Sequence, residues 1–520
     1  MTIDSRKQQT LSAYQYFLNT SLDRQLQESL DADERSAVVS LFQTIAKTVP
    51  AYKMFLNERS IDPESIRTLE QFKAIPSVDK ENYIQQYPLA QRCRHGKLTG
   101  CDAMAASSGS TGEPTLWPRS FRDELQIATR FEQIFHDSFE ADRKTTLAVV
   151  CFSLGTWVGG MYTASCCRYL AQKGYPITVV TPGSSSAEIL RLVKALGDSF
   201  EQVVLLGYPP FLKDAIDTGK SQNIDWPKYQ TKLVMAGEVF SEEWRDLVGE
   251  RLGSKHICYD SASLYGTADA GVLGNETPLS ICIRRFLAAN PAVARELFGE
   301  SRLPTLVQYD PSSRFFEVQQ GRLIFSGDNG VPLLRYSIKD TGGLITYDEM
   351  LKFLANYRFN PIAELQEQKA RDQKENSEKT VRGIRPFPFV YVFGRYDFTV
   401  SYFGANIYPE NVAVGLEQPL IRDWVTGKFV MQVKEGKDRN RYLSVVVELA
   451  PESPKDIITD EQKVAMLTDA IRAQLIRLNS EFANYVPQPY QTPVITVAPM
   501  GDTNYFPVGV KHRYTRQFEK

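Results

Sequence analysis

The sequence predicts an α/β protein: a large N-terminal part on a mostly parallel sheet with flanking helices, followed by a small α+β C-terminal module. Two observations carry this expectation. Short apolar runs at residues 147–150 (LAVV), 177–180 (ITVV), 203–207 (VVLLG) and 232–237 (KLVMAG) alternate with helical stretches such as residues 186–197 (SAEILRLVKALG). Strands separated by helices argue parallel crossovers. Past Asp397 the pattern changes to short strands at 429–433, 443–449 and 493–499, beside a helix with Val464, Leu467, Ile471, Leu475, Leu478 and Phe482 on one face. At 520 residues the chain exceeds one ordinary core, so the expected division is 1–397 and 398–520.

In order along the chain, Val38, Leu41, Phe42, Ile45 and Val49 recur at helical spacing, and residues 61–80 read as a turn-rich connection. Leu125, Ala128, Phe131 and Phe135 mark another helix face. Residues 145–167 carry no charge, yet they are rich in Gly, Ser and Thr. A buried strand running into a glycine-rich loop suits them better than a membrane span. Residues 363–380 are almost wholly polar and read as an exposed helix or mobile loop without an active-site role.

Lys plus Arg total 60 against 62 Asp plus Glu, a formal charge of −2, so no broad positive field exists for nucleic acid or an anionic membrane. The seven cysteines lack paired C-x-x-C spacing and suit reduced thiols in a cytoplasmic protein. Cys93, His95 and Cys101 offer only three ligands at irregular spacing, a weak case for a metal site. The N-terminus has no apolar stretch behind its charges, so no signal peptide is expected.

The strongest local signal is Ser107, Ser108, Gly109, Ser110, Thr111 and Gly112, followed by Glu113 and Pro114. Hydroxyls and glycines in succession let the backbone wrap an anion, presenting N–H and O–H groups to phosphate oxygens. The lysine of an ordinary P-loop is absent. Ser/Gly clusters are commonly linkers; the Gly-x-Pro ending makes this one more specific.

This stretch resembles the phosphate-binding loop of the adenylate-forming ligases, and further motifs of that family follow in order. Tyr265, Gly266, Thr267, Ala268 and Asp269 resemble its Tyr-Gly-x-Thr-Glu. Arg335, Tyr336 and Asp340 resemble its ribose-binding segment, and Gly394 to Asp397 its G-R-x-D hinge, extended by Gly404 and residues 407–410. Residues 75–83, 153–166, 203–212 and 236–245 lean towards the phenylacetate–CoA ligase branch.

The resemblance implies an enzyme that activates an aryl or other apolar carboxylic acid with ATP and Mg²⁺, releases pyrophosphate, and passes the acyl group to CoA. An amine or the thiol of a separate acyl carrier protein is the alternative acceptor, and a nucleotide-binding homologue without turnover the rival from another class. It implies ATP contacts from Ser107 to Gly112, Gly237, Glu238, Tyr265, Gly266, Thr267, Asp340 and Arg395, with Mg²⁺ near Asp269. Asp397 would be the pivot, and Lys511, in a segment like the family's lysine-bearing ending, would act on the reacting α-phosphate. Trp157, Gly160, Tyr208, Phe211 and Tyr259 lie on segments that line the acid pocket in similar enzymes. A homodimer is compatible with this reading. Four departures stand out: Thr115 after Gly-x-Pro, Ala268 for a threonine, Asp269 for a glutamate, and Ser401 for a basic residue.

Overall fold

The structure, a computed structural model, describes residues 3–107, 115–156, 158–300, 302–370, 382–395, 400–403, 405–435, 441–451, 453–479, 482–483, 486–507 and 512–516. Eighteen strands occur among them. They are β1 (Ala103–Ser107), β2 (Thr115–Arg119), β3 (Thr146–Val150), β4 (Ile177–Val180), β5 (Gln202–Gly207), β6 (Lys232–Ala236), β7 (Ser261–Thr267), β8 (Gly271–Asn275) and β9 (Thr305–Gln308). There follow β10 (Phe315–Gln319), β11 (Arg322–Gly327), β12 (Leu333–Ile345), β13 (Phe389–Arg395), β14 (Val400–Tyr402), β15 (Ala405–Ile407), β16 (Val425–Glu435), β17 (Arg441–Leu449) and β18 (Val494–Ala498).

Eleven strands form one sheet in the order β10-β11-β12-β13-β9-β8-β7-β6-β5-β3-β4. From β4 to β7 the neighbours are parallel, each crossover made by a helix; beyond β7 the pairing is antiparallel. The strands of the parallel portion are apolar on both faces, as a sheet covered twice requires. Ala148, Val150, Val204, Leu206 and Val234 pack on the helices Phe121–Gln133 and Val158–Gln172. Their neighbours Leu147, Val149, Val203, Leu205 and Met235 face Ser186–Leu196, Pro209–Ser221 and Glu242–Leu252. Alternation with period two thus fills both layers.

The early helices, including Glu34–Thr48 and Pro50–Asn57, cover one face of the antiparallel portion through Phe42, Tyr52 and Phe55. Residues 145–167 form β3, a loop, and the start of the helix Val158–Gln172, which takes in Gly159 and Gly160. The polar stretch begins as the helix Pro361–Ala370; residues 371–381 are outside the described set. Among the described residues no helix is long and apolar enough to cross a membrane.

Residues 400–514 gather their own core around Phe429, Met431, Val445, Leu467, Ile471 and Leu475. The three-stranded sheet β16-β17-β18 and the helices Pro409–Leu416 and Glu461–Leu478 build it. This C-terminal module meets the first part of the chain along the helices Pro209–Ser221 and Glu242–Leu252. There Lys428 Nζ lies 2.5 Å from Asp214 and 3.3 Å from Glu448. Lys213 donates to the Val425 carbonyl at 3.2 Å, and Ser241 to Glu417 at 2.5 Å.

Candidate active site

Strand order alone points to one place. The chain leaves β3 for β4 on one side and returns to β5 on the other; in such sheets a crevice opens at the carboxyl ends of the strands where the direction switches. Phe152 follows β3 and Tyr208 follows β5, and their rings meet edge to face at 4.9 Å. Beside them β6 is followed by Gly237, whose φ of +89° suits glycine and where a Cβ would stand 2.7 Å from the Tyr208 ring. The next residue, Glu238, accepts a hydrogen bond from Tyr514 of the C-terminal module at 2.8 Å. Burial raises the Tyr208 phenol, and the nearby Glu238 carboxylate adds to the shift.

At the end of β7 the chain turns sharply between Thr267 and Ala270, and the Thr267 hydroxyl accepts from the Ala270 amide at 3.1 Å. Asp269 is 7% exposed. One of its oxygens accepts from the Tyr336 phenol at 2.5 Å, and the other lies 3.8 Å from the Lys80 ammonium. Tyr265, on the same strand, donates to Asp340 at 2.7 Å. Burial holds the Tyr265 and Tyr336 phenols far above their ordinary range, with Asp340 and Asp269 respectively adding to it, so both stay donors. Asp340 pairs in register with Arg395 across β12 and β13.

The hairpin β1–β2 stands next to this group, with the amide of Ala106 donating to the Thr156 carbonyl at 2.8 Å. Ser107 ends β1 and pairs with Thr115 of β2. Ser108, Gly109, Ser110, Thr111 and Gly112 lie outside the described residues, as do Trp157, Asp397 and Lys511. His512, next after Lys511, places Nε2 2.7 Å from the Phe429 carbonyl, and the backbones of Tyr514 and Arg516 bond to Met431. Burial lowers the His512 pKa to about 4, so the ring is neutral near pH 7.

The structure therefore gathers Tyr208, Gly237, Glu238, Tyr265, Thr267, Asp269 and Asp340 towards one end of the sheet. Gly160 lies in the first turn of its helix, where a Cβ would fall 2.3 Å from the Ser153 carbonyl oxygen. Phe211 packs with the opposite helical layer. Tyr259 sits in a third core with Leu279, Ile283 and Met350, the Lys369 ammonium 4.7 Å from its ring centre. Arg335 is tied to Glu317 at 3.0 Å and to the Ile75 carbonyl. Lys80, to which sequence reasoning assigned no role, and Tyr336, placed only in the ribose-binding resemblance, are contacts of Asp269. Both sat within quoted motifs, but nothing in those motifs states that they meet.

No protein-family model matches the chain. A phenylacetate–coenzyme A ligase of Thermus thermophilus is 22% identical over 340 residues, 64% of this chain and 70% of that one. A second relative of the same name, from Aromatoleum evansii, is 20% identical over 58% of this chain and 63% of its own. In sequence the chain is therefore similar to phenylacetate–coenzyme A ligases, at 20–22% identity. Solved structures agree on the fold. A 2-hydroxyisobutyryl-CoA ligase superposes with a TM-score of 0.63 at 14% identity, covering 92% of this chain and 88% of that one. An acyl acid amido synthetase gives 0.56 at 12% identity, over 95% and 94%.

Proposed function

We propose that this protein is an AMP-forming acid–CoA ligase that activates an aryl or other apolar acid as its acyl-adenylate. The carrying observation is the convergence of the Asp269 turn, the Tyr265–Asp340 pair and the base of the β1–β2 hairpin at the end of one sheet. The carboxylate oxygen of the acid attacks the α-phosphorus of ATP and pyrophosphate departs; the CoA thiolate then attacks the acyl carbonyl and AMP departs. A carboxylate is already ionised near pH 7, so the first step calls for electrostatics and alignment more than for a base.

In this reading residues 107–112 hold phosphate oxygens, and Asp340, oriented by Tyr265, accepts from ribose hydroxyls. The donor set at Asp269 fits a Mg²⁺ shared with the nucleotide. One carboxylate oxygen accepts from a neutral phenol and the other lies 3.8 Å from an ammonium, and Mg²⁺ commonly takes one or two carboxylates plus substrate phosphates. Such an ion would neutralise phosphate charge. Residues 1–397 would form the nucleotide and acid lobe and residues 398–520 a lid that brings Lys511 to the α-phosphate, pivoting at Asp397. The Phe152–Tyr208 pair supplies an aromatic wall for the acid.

The amido synthetase neighbour supports an amine as the second acceptor to test. Carboxylate-dependent exchange of pyrophosphate into ATP across a panel of aryl, fatty and amino acids tests the first step. Thioester against amide product then separates the acceptors. ATP binding with no exchange for any acid would defeat the proposal.

A further inference from the structure

Arg119 ends β2, the strand that leaves the proposed phosphate-binding stretch, and is only 2% exposed. Among the described residues its guanidinium forms no ion pair within 4 Å of a carboxylate. It donates instead to the backbone carbonyls of Ala268 and of Asp269, the latter at 3.4 Å, while its Nε is buried without a hydrogen-bond partner among the described residues. A second buried guanidinium, Arg314, takes the next carbonyl, that of Ala270, at 3.4 Å. Three consecutive carbonyls of the acidic turn thus accept from two buried guanidiniums.

This arrangement costs desolvation of two guanidiniums, so it needs a function beyond closing a turn. Charge-assisted bonds to successive carbonyls fix the turn's backbone and so the origin of the Asp269 side chain, which is one methylene shorter than glutamate and tolerates little drift at a cation. Because the same arginine belongs to β2, it also fixes the distance between that carboxylate and the hairpin.

Resting on the ligase reading above, we propose that Arg119 is a positioning residue that fixes the backbone of the Asp269 turn against β2, and so sets the Asp269 carboxylate for a divalent cation brought by the nucleotide. Partners behind a metal ligand typically govern metal affinity by ~10–100-fold.

The test uses the full chain and Mn²⁺ as probe, with free Mn²⁺ read by electron paramagnetic resonance in the presence of an α,β-methylene ATP analogue. The expected result is a Mn²⁺ Kd raised about tenfold or more in Arg119→Lys and Arg119→Ala, with partial recovery of Arg119→Ala on adding methylguanidinium. Pyrophosphate exchange should need correspondingly more Mg²⁺ while the KM for the acid stays put. A purely structural role would lower the amount of active protein without moving the metal dependence. Unchanged Mn²⁺ affinity in Arg119→Lys overturns the proposal, as does a uniform loss that neither metal nor methylguanidinium restores; should Arg119→Ala fail to fold, Arg119→Lys decides. If the wild-type protein binds neither the nucleotide analogue nor Mn²⁺ and exchanges no pyrophosphate, the ligase reading itself fails, and this inference with it.

Discussion

Lys428→Met should loosen the C-terminal module, by an amount that depends on pH. Lys428 is the shared cation between Asp214, on the helix Pro209–Ser221, and Glu448, on β17, at 2.5 and 3.3 Å. Both carboxylates are nearly sealed from solvent, with side-chain exposures of 6% and 2%. Removing one member of a buried ion pair costs about 3–5 kcal/mol, because the remaining charge has lost its compensation. Proton uptake limits the loss. Burial already pushes Asp214 up to about 6 despite Lys428 and Lys213, and without Lys428 it rises further. Keeping an aspartyl of unfolded pKa ~3.9 protonated costs at most roughly 5.6 kcal/mol at about pH 8 and roughly 2.2 kcal/mol at about pH 5.5. The variant's deficit should therefore shrink by about half on acidification. Scanning calorimetry at the two pH values, with Asp214→Asn alone and combined with Lys428→Met, measures it; a loss of ~3 kcal/mol corresponds to roughly 10 °C in the module's transition. A Lys428→Met transition equal to wild type at both pH values, or no recovery in the double variant, would refute the reasoning.

Glu417 reports on the same contact. Its carboxyl is pushed up to about 7 by burial against the first part of the chain, with Glu243 adding to it and Ser241, Arg284 and Lys213 opposing. A carboxyl whose folded pKa is raised gives stability that is fully present below its unfolded pKa and lost as pH rises through about 7. Module docking should thus weaken from about pH 5 to about pH 8, by at most ~3 kcal/mol, and Glu417→Gln should flatten that slope in hydrogen exchange of the helix Glu242–Leu252; an unchanged slope refutes it. Asp269→Ala and Lys511→Ala should each cut pyrophosphate exchange by at least about two orders of magnitude, and near-normal exchange would remove that residue from the mechanism. Tyr265→Phe leaves Asp340 without its phenol and should raise the KM for ATP about tenfold with a smaller effect on the KM for the acid; equal effects on both would count against a ribose role for Asp340.

What the sequence could determine was local. Residues 147–150, 203–207 and 232–237 read as strands because an apolar run bounded by helices carries its own signature, and Tyr265 to Asp269 and Asp340, which the structure brings together, were singled out from their order along the chain. The antiparallel continuation beyond β7 was not, since strand periodicity is identical for both directions. The sheet also separates Phe211 from Tyr208, three residues apart, onto opposite layers, and puts Tyr259 in a third core. Only the tertiary structure decided that Tyr336 and Lys80 reach Asp269, that Arg119 grips the turn beneath it, and that Lys428 meets Asp214. Each of those contacts joins segments far apart in sequence whose approach is fixed by sheet order and crossover, and a charged side chain gives no local sign of which distant partner will neutralise it.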